Sequence, residues 1–178
     1  MAEVDGDSAN IEYGPCQVLF NLIDLGYFKG DVTLTYTIEY LDIEVAQSSM
    51  LCEPRIKTER CVVTVPMSET NLAKLTTVMP TGTYTGAGTP KKIEFGGGQV
   101  SSSNLKELVI KPITDGSGTV STNENEWTII YKTFPKPTFT KTYNREGERV
   151  VTVEFHAYRD STKDPHKQLF VLGDVDAT

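Results

Sequence analysis

The sequence is poor in the residue types that most active sites need. Its 178 residues include two histidines, three cysteines and one tryptophan. His156 and His166 are far apart in the chain. Neither has a second ligand at the close spacing that zinc sites use. Cys16, Cys52 and Cys61 show no CxxC spacing, and their odd number leaves one thiol over in any disulfide scheme. Free cysteines in a reducing compartment are expected. No Gly-x-Ser-x-Gly elbow is present, and no cysteine sits in a local activation signature. Gly96-Gly97-Gly98 is followed by Gln99 and Val100 rather than by Gly-Lys-Ser/Thr opening a helix, so it is a turn and not a phosphate cradle. No apolar run reaches membrane-spanning length. No charged segment followed by an apolar one opens the chain as a secretion signal would, and assembly inside a cell is expected. Basic residues are in the minority, 17 Lys and Arg against 24 Asp and Glu, for a net charge of −7. Tight non-specific binding to nucleic acid needs clustered cations that displace counterions, and this chain lacks them. Its carboxylates are plentiful, but nothing singles out a catalytic pair. No catalytic residue, cofactor or metal ligand is assigned, and a non-enzymatic assembly role is expected.

What the sequence does contain is extended structure. Val32, Leu34, Tyr36, Ile38 and Tyr40 alternate with Thr33, Thr35, Thr37 and Glu39. Successive side chains of a strand point to opposite faces, so this predicts a strand with its apolar face on a core and a wet, threonine-rich face outside. Arg60 to Val65 predicts a second strand with Cys61, Val63 and Val65 inward. Residues 42–57 between them predict a loop much longer than a tight hairpin needs. Yet this loop carries Ile43, Val45, Met50 and Leu51, which a solvated linker would avoid. They either tuck back onto the sheet or dock on another subunit. Pro66 lacks an N–H and is expected to end ladder pairing. A helix over 68–79 follows, with Ser68 as N-cap, Glu69 in its first turn and a buried stripe of Leu72, Leu75 and Met79, ended by Pro80. At about three turns it is too short to stand alone in water.

Elsewhere the signals are briefer. Residues 1–12 are polar and acidic and are expected to be flexible in the free protein. Cys16 to Leu25 predicts one strand buried on both sides. Thr81 to Ser103 is rich in Gly and Thr and encloses a short strand at Ile93 to Phe95. Leu105 to Ile113 predicts a strand that Pro112 places at an edge or end. Glu126 to Phe134 alternates, with Trp127, Ile129 and Tyr131 on one face, and Pro135 and Pro137 are expected to break its ladder. Arg149 to Tyr158 predicts a strand with Val151, Val153, Phe155 and Ala157 inward, joined to 138–143 by a turn at Asn144–Gly147. In the tail, 160–178, Gln168 to Leu172 offers one more short strand. The residues alone describe a mostly antiparallel β domain spanning 1–178.

The order of these features resembles the tail tube proteins of long-tailed bacteriophages, which are similar in fold to the tube protein of type VI secretion. The residues that carry the resemblance are the Asp24-Leu25-Gly26 turn, the long alternating strand, the acidic loop with Gln47, the strand Cys61–Val65, and the helix opened by Met67-Ser68-Glu69 with Asn71-Leu72 inside. The match covers Gln17 to Pro80 well and the later strands in outline; Thr81–Ser103 is where the chain departs from it. The resemblance implies a mainly β fold of two packed antiparallel sheets, sandwich- or barrel-like, with one short flanking α-helix. It implies hexameric rings stacked into a hollow tube in the virion tail, assembled in the host bacterial cytoplasm. Its partners would be further copies of itself, a tape measure protein inside the tube, and tail terminator and baseplate or distal tail proteins at the ends, with DNA passing through unbound. Ile43, Glu44, Val45, Gln47, Met50, Leu51, Glu53 and Arg55 would make the contact between rings. Glu39, Asp42, Glu44 and Glu59 would face the lumen, where acids repel the phosphate backbone. Two other classes are compatible with the residues: a different ring-forming tail component, or a β-sandwich binding module using Tyr27, Phe28, Tyr84 and Trp127. A small hydrolase has no supporting residue.

Overall fold

The computed structural model describes residues 14–43, 53–69, 71–86, 90–96, 98, 100–113, 118–139 and 149–177. They form a mainly β protein with one large antiparallel sheet, one small sheet and one short helix. Strands β1 (Cys16–Phe20) and β2 (Ile23–Asp24) make a tight hairpin; β3 (Thr33–Ile43) and β4 (Glu53–Met67) make a long one. After helix α1 (Leu72–Val78), β5 (Gly82–Thr85) pairs with β6 (Lys92–Phe95) as the small sheet. Strands β7 (Lys106–Pro112), β8 (Thr128–Thr138), β9 (Val151–Ala157) and β10 (Phe170–Leu172) complete the large one. Its order is β2-β1-β7-β8-β9-β4-β3, with β10 on the first part of β8.

The large sheet curls. Phe20 on β1 and Phe155 on β9 are three strand positions apart, about 14 Å in a flat sheet, yet their ring centroids are 5.1 Å apart. The chain leaving β2 strengthens this curl. Leu25 donates its N–H to Val18 O (3.0 Å), and Phe28 then bridges Met67 at the end of β4. Val18, Phe20, Leu25, Val63, Val65, Met67, Leu108, Ile130, Val151, Val153 and Phe155 fill the inside. Val151, Val153 and Phe155 are inward as their alternation requires, with Ala157 packed against the same core.

Several elements differ from the sequence expectation, each for a local reason. Cys16 to Leu25 is a hairpin, because Asn21 and Leu22 both take the left-handed conformation (φ 52° and 65°) that a two-residue hairpin turn needs. Only one face is fully buried there, through Val18 and Phe20. Ser68 does not cap the helix: its N–H and Oγ–H both go to Tyr27 O, so it still belongs to the sheet. The N-cap is Asn71, whose Oδ1 accepts from Lys74 N at 2.9 Å. Leu72 therefore starts the helix and is exposed at 37%; Leu75 (6%), Val78 and the C-capping Met79 make the buried stripe. Pro135 and Pro137 do not end β8. Both pair with β9, opposite Phe155 and Val153. A register shift between β7 and β8 precedes them, and Lys132 C=O then points at β9, where it accepts from Tyr158 N–H. Alternation turns the proline nitrogens to the opposite side, past the end of β7 at Lys106, where no N–H is called for. Pro66 likewise does not end ladder pairing but pairs with Thr152 inside β4, whereas Pro112 closes β7 opposite Cys16, as expected of a strand end. The Gly/Thr-rich segment folds in part as the β5–β6 hairpin against α1. Residues 1–12 and the turn at Asn144–Gly147 lie outside the described residues. Among the described residues, no helix is long and apolar enough to cross a membrane.

Candidate assembly surfaces

At both ends of the loop expected over 42–57, the described residues are strand. β3 continues to Ile43 and β4 starts at Glu53, and the two stay paired from Thr33↔Thr64 to Ile43↔Glu53, with one register shift on the way. Only residues 44–52 fall outside the description. β9 pairs with β4 from Val62 to Met67 and no further. Among the described residues, β4 from Glu53 to Cys61 therefore pairs with β3 alone, and the hairpin leaves the sheet as a two-stranded arm. Tyr36 marks its root, edge-on to Phe170 of β10 at 5.2 Å between centroids. Beyond that root the arm runs for roughly 20 Å at about 3.3 Å per residue. A bulge between Glu39 and Tyr40, where Lys57 is the extra residue, adds local twist.

The arm carries apolar surface that nothing in the described chain covers. Tyr40 is 59% exposed and lies opposite Ile56 at 56%; Leu41, on the other face, is 56% exposed. The alternation of β3 predicts Tyr36, Ile38 and Tyr40 on a core. The core stops at Leu34, because β4 loses its second neighbour there. Charges hide the signal in β4: Arg55, Lys57, Glu59 and Arg60 surround Ile56, so this part resembles a polar loop in sequence. The ion pairs are loose and exposed, with Lys57 at 3.8 Å and Arg60 at 3.9 Å from Glu39, and Arg55 at 3.9 Å from Glu53. Pairs of this kind add little stability.

Of the residues expected between rings, Ile43, Glu53 and Arg55 fall on one face of the arm with Leu41. Glu44, Val45, Gln47, Met50 and Leu51 lie outside the described residues. The expected lumen acids are not gathered on one face. Glu39 continues the threonine face, whereas Asp42 and Glu59 share the face of Ile38; Glu44 is not described. At the root, burial first, and then the Glu59 carboxylate, push the Tyr36 phenol above its ordinary range. Cys61, buried beside it in β4, has its thiol pushed up to about 11 by burial.

The second surface is a cleft of about 800 Å³ at the other end of the sheet. One wall is Gly14 to Gln17 at the start of β1; the other is Gly26 to Val32, beside the end of β4. Glu69 and Lys74 close one end with an ion pair of 2.7 Å, and Asn71 Nδ2 adds a bond to Glu69 Oε1. Gly26 (φ +84°) passes so close beneath that a Cβ there would strike both Glu69 Oε2 and Lys74 Nζ. Asp24 holds the turn by accepting from Gly26 N and Gln17 Nε2, both at 2.8 Å.

The aromatics considered for a binding module occupy different settings. Tyr27 and Phe28 line the cleft, Tyr84 belongs to the small sheet, and Trp127 lies under the Lys111 ammonium (3.5 Å) with its Nε1–H on Ser121 O. His156 Nε2 lies 3.1 Å from the Glu154 carboxylate. Among the described residues, no three His, Cys, Asp or Glu side chains gather as a metal site. No family model and no curated protein matches this chain.

Proposed function

We propose that this protein is a structural subunit that polymerises, as the tail tube proteins it resembles do, into stacked hexameric rings enclosing a hollow tube for DNA. The observation that carries this reading is the β3–β4 arm. A two-stranded ribbon is marginal in water by itself, and this one exposes Tyr40, Leu41 and Ile56. Apolar side chains exposed on both faces of such an element are what a protein partner covers. β3 is also an edge strand over all eleven of its residues, and an open edge joins subunits by strand addition. Repeated head-to-tail contacts close into rings or extend into filaments. In the virion tail, the tube would hold a tape measure protein and end on terminator and baseplate proteins. The net charge of −7 suits a wall that DNA passes without sticking.

Sedimentation velocity over a concentration series tests the reading, with the wild type beside a Tyr40→Ser/Ile56→Ser variant. The wild type is expected to move into ring-sized and larger species as concentration rises. The variant is expected to stay monomeric with its melting temperature unchanged, since both side chains are already solvent-exposed. A wild type that stays monomeric throughout would overturn self-assembly. A variant that assembles as well as the wild type would remove the arm from it.

A further inference from the structure

We propose that the cleft between Gly14–Gln17 and Gly26–Val32 is the acceptor for the arm of a second copy, which enters it by adding the free edge of β4 as a strand. This rests on the self-assembly reading above and names the surface that reading leaves open.

Among the described residues, both walls of the cleft are unfinished sheet edges. Pro15 C=O accepts from Ile113 N–H on the β7 side (2.8 Å). Backbone polar groups alternate along a strand, so the N–H and C=O of Cys16 point the other way, into the cleft. On the opposite wall, Tyr27 C=O takes Ser68 N–H and Lys29 N–H goes to Pro66 O, both at 3.0 Å. Phe28 between them therefore turns its N–H and C=O away from β4 and toward the cleft. Neither Cys16 nor Phe28 finds a backbone partner there among the described residues. Unmade backbone bonds at facing edges are a template for an incoming strand.

The chemistry of the cleft selects its occupant. Cys16, Phe28 and Val32 are half-buried against the core and give it an apolar floor. Its charged lining is Asp24, Asp31, Glu69 and Lys74, and Lys74 is already closed on Glu69. The neutral donors on Asp24 leave its charge in place. The cleft thus favours an extended, cationic, partly apolar segment. Residues 1–13 do not fit, since they carry Glu3, Asp5, Asp7 and Glu12 and no Lys or Arg. The free edge of β4 does: Arg55, Lys57 and Arg60 outnumber Glu53 and Glu59 around the exposed Ile56, and their ion pairs to Glu53 and Glu39, at 3.8 to 3.9 Å and exposed, are loose enough to give up. The pairing cannot form within one molecule. Met67 lies beside Phe28, and Arg55 sits at the far end of the same strand, roughly 40 Å away at about 3.3 Å per residue. Donor and acceptor at opposite ends of one strand make a head-to-tail contact, which propagates along an axis.

Complementary charge reversal tests this. One variant carries Asp24→Asn/Asp31→Lys in the cleft, the other Arg55→Glu/Lys57→Glu on the arm, and melts establish that each is folded. Each alone is expected to raise the concentration needed for assembly by about tenfold or more, given the strength of close interfacial charge pairs. Their equimolar mixture is expected to recover most of that loss. Folded variants that assemble like the wild type, or a mixture that assembles no better than its parts, would overturn the proposal. If the cleft variant does not fold, carbodiimide coupling of the wild type decides: an intermolecular amide from Lys57 to Asp24, Asp31 or Glu69 is expected, and coupled oligomers without one would overturn it. Failure here with a wild type that assembles leaves the self-assembly reading standing. A wild type that never assembles removes both.

Discussion

Leu75→Ala and Leu72→Ala form a matched pair on one helix, three residues apart, with opposite expected outcomes. α1 has seven residues, below the length at which a helix persists in water. Its stability must come from the side chains it buries. Leu75 is 6% exposed and joins Val78 and Met79 in the main core cluster. Truncating a leucine in such a place removes its transfer free energy and leaves a cavity, a loss of about 3 kcal/mol within the range of about 2–5. Leu72, next to the Asn71 cap, is 37% exposed and lies outside that cluster. Its truncation should cost no more than about 0.5 kcal/mol, as for an ordinary surface change. Alanine also keeps helix propensity high in both variants, so the difference between them reports packing. Equilibrium urea unfolding would show the Leu75→Ala midpoint moving down with an unchanged slope, while Leu72→Ala stays with the wild type. Leu75→Asp should go further and release α1 from the β5–β6 hairpin it packs against. Equal midpoints for the two alanine variants would refute the placement of α1 on the core.

Three more perturbations follow from named contacts. Gly26→Ala should lose the backbone strain of its positive φ, about 1–2 kcal/mol, in the same urea assay, and a smaller further amount because the flexible ends of Glu69 and Lys74 must move aside and open their ion pair. Gly118→Ala, at φ +86° with nothing within 4 Å, should lose only the backbone strain of about 1–2 kcal/mol, and equal losses would contradict the clash. The Asp160 carboxyl is held down at about 2 by the Lys132 ammonium at 2.8 Å, and then by the N–H and hydroxyl of Thr162. An unfolded Asp titrates near 3.9, so this contribution is fully present above about pH 4 and is lost as pH falls through about 2. The stability gap between wild type and Asp160→Asn should be constant from pH 5 to 7 and shrink toward pH 2; a gap that does not change with pH would count against the pairing. The Cys61 thiol, buried and raised to about 11, should resist labelling in the native state at pH 8, so Cys61→Ser should leave the native labelling rate unchanged. A lost fast phase in that variant would show that Cys61 is open to reagent.

How far the sequence could be read depended on how many neighbours each strand acquires. β9 was legible, because it lies between β8 and β4 and buries every second residue from Val151 to Phe155. β3 was legible as a strand but misleading as to burial. Its period of two persists past Tyr36, although only Leu34 and Val32 reach the core. Whether that face is covered depends on where β9 stops pairing with β4, a long-range fact that no local pattern holds. The same fact hid the arm, since Pro54 to Arg60 has the composition of a loop and the hydrogen bonding of a strand. The helix start was misplaced because Ser68 and Asn71 are both good caps, and the choice was made by Tyr27 O, forty-one residues away from Ser68. Pro135 and Pro137 looked like breakers because the side to which their nitrogens point depends on the register shift between β7 and β8. The cleft left no clear sequence signal, since its walls are the two ends of the β1–β2 hairpin, and what parts them is the bridge of Phe28 to Met67 on β4, a long-range contact.

Electron microscopy of the purified full chain at high concentration tests the central claim most directly. The account predicts rings with an open centre, stacked into tubes, that disappear in the Tyr40→Ser/Ile56→Ser variant. Separate particles of monomer size at every concentration, the same for wild type and variant, would contradict it.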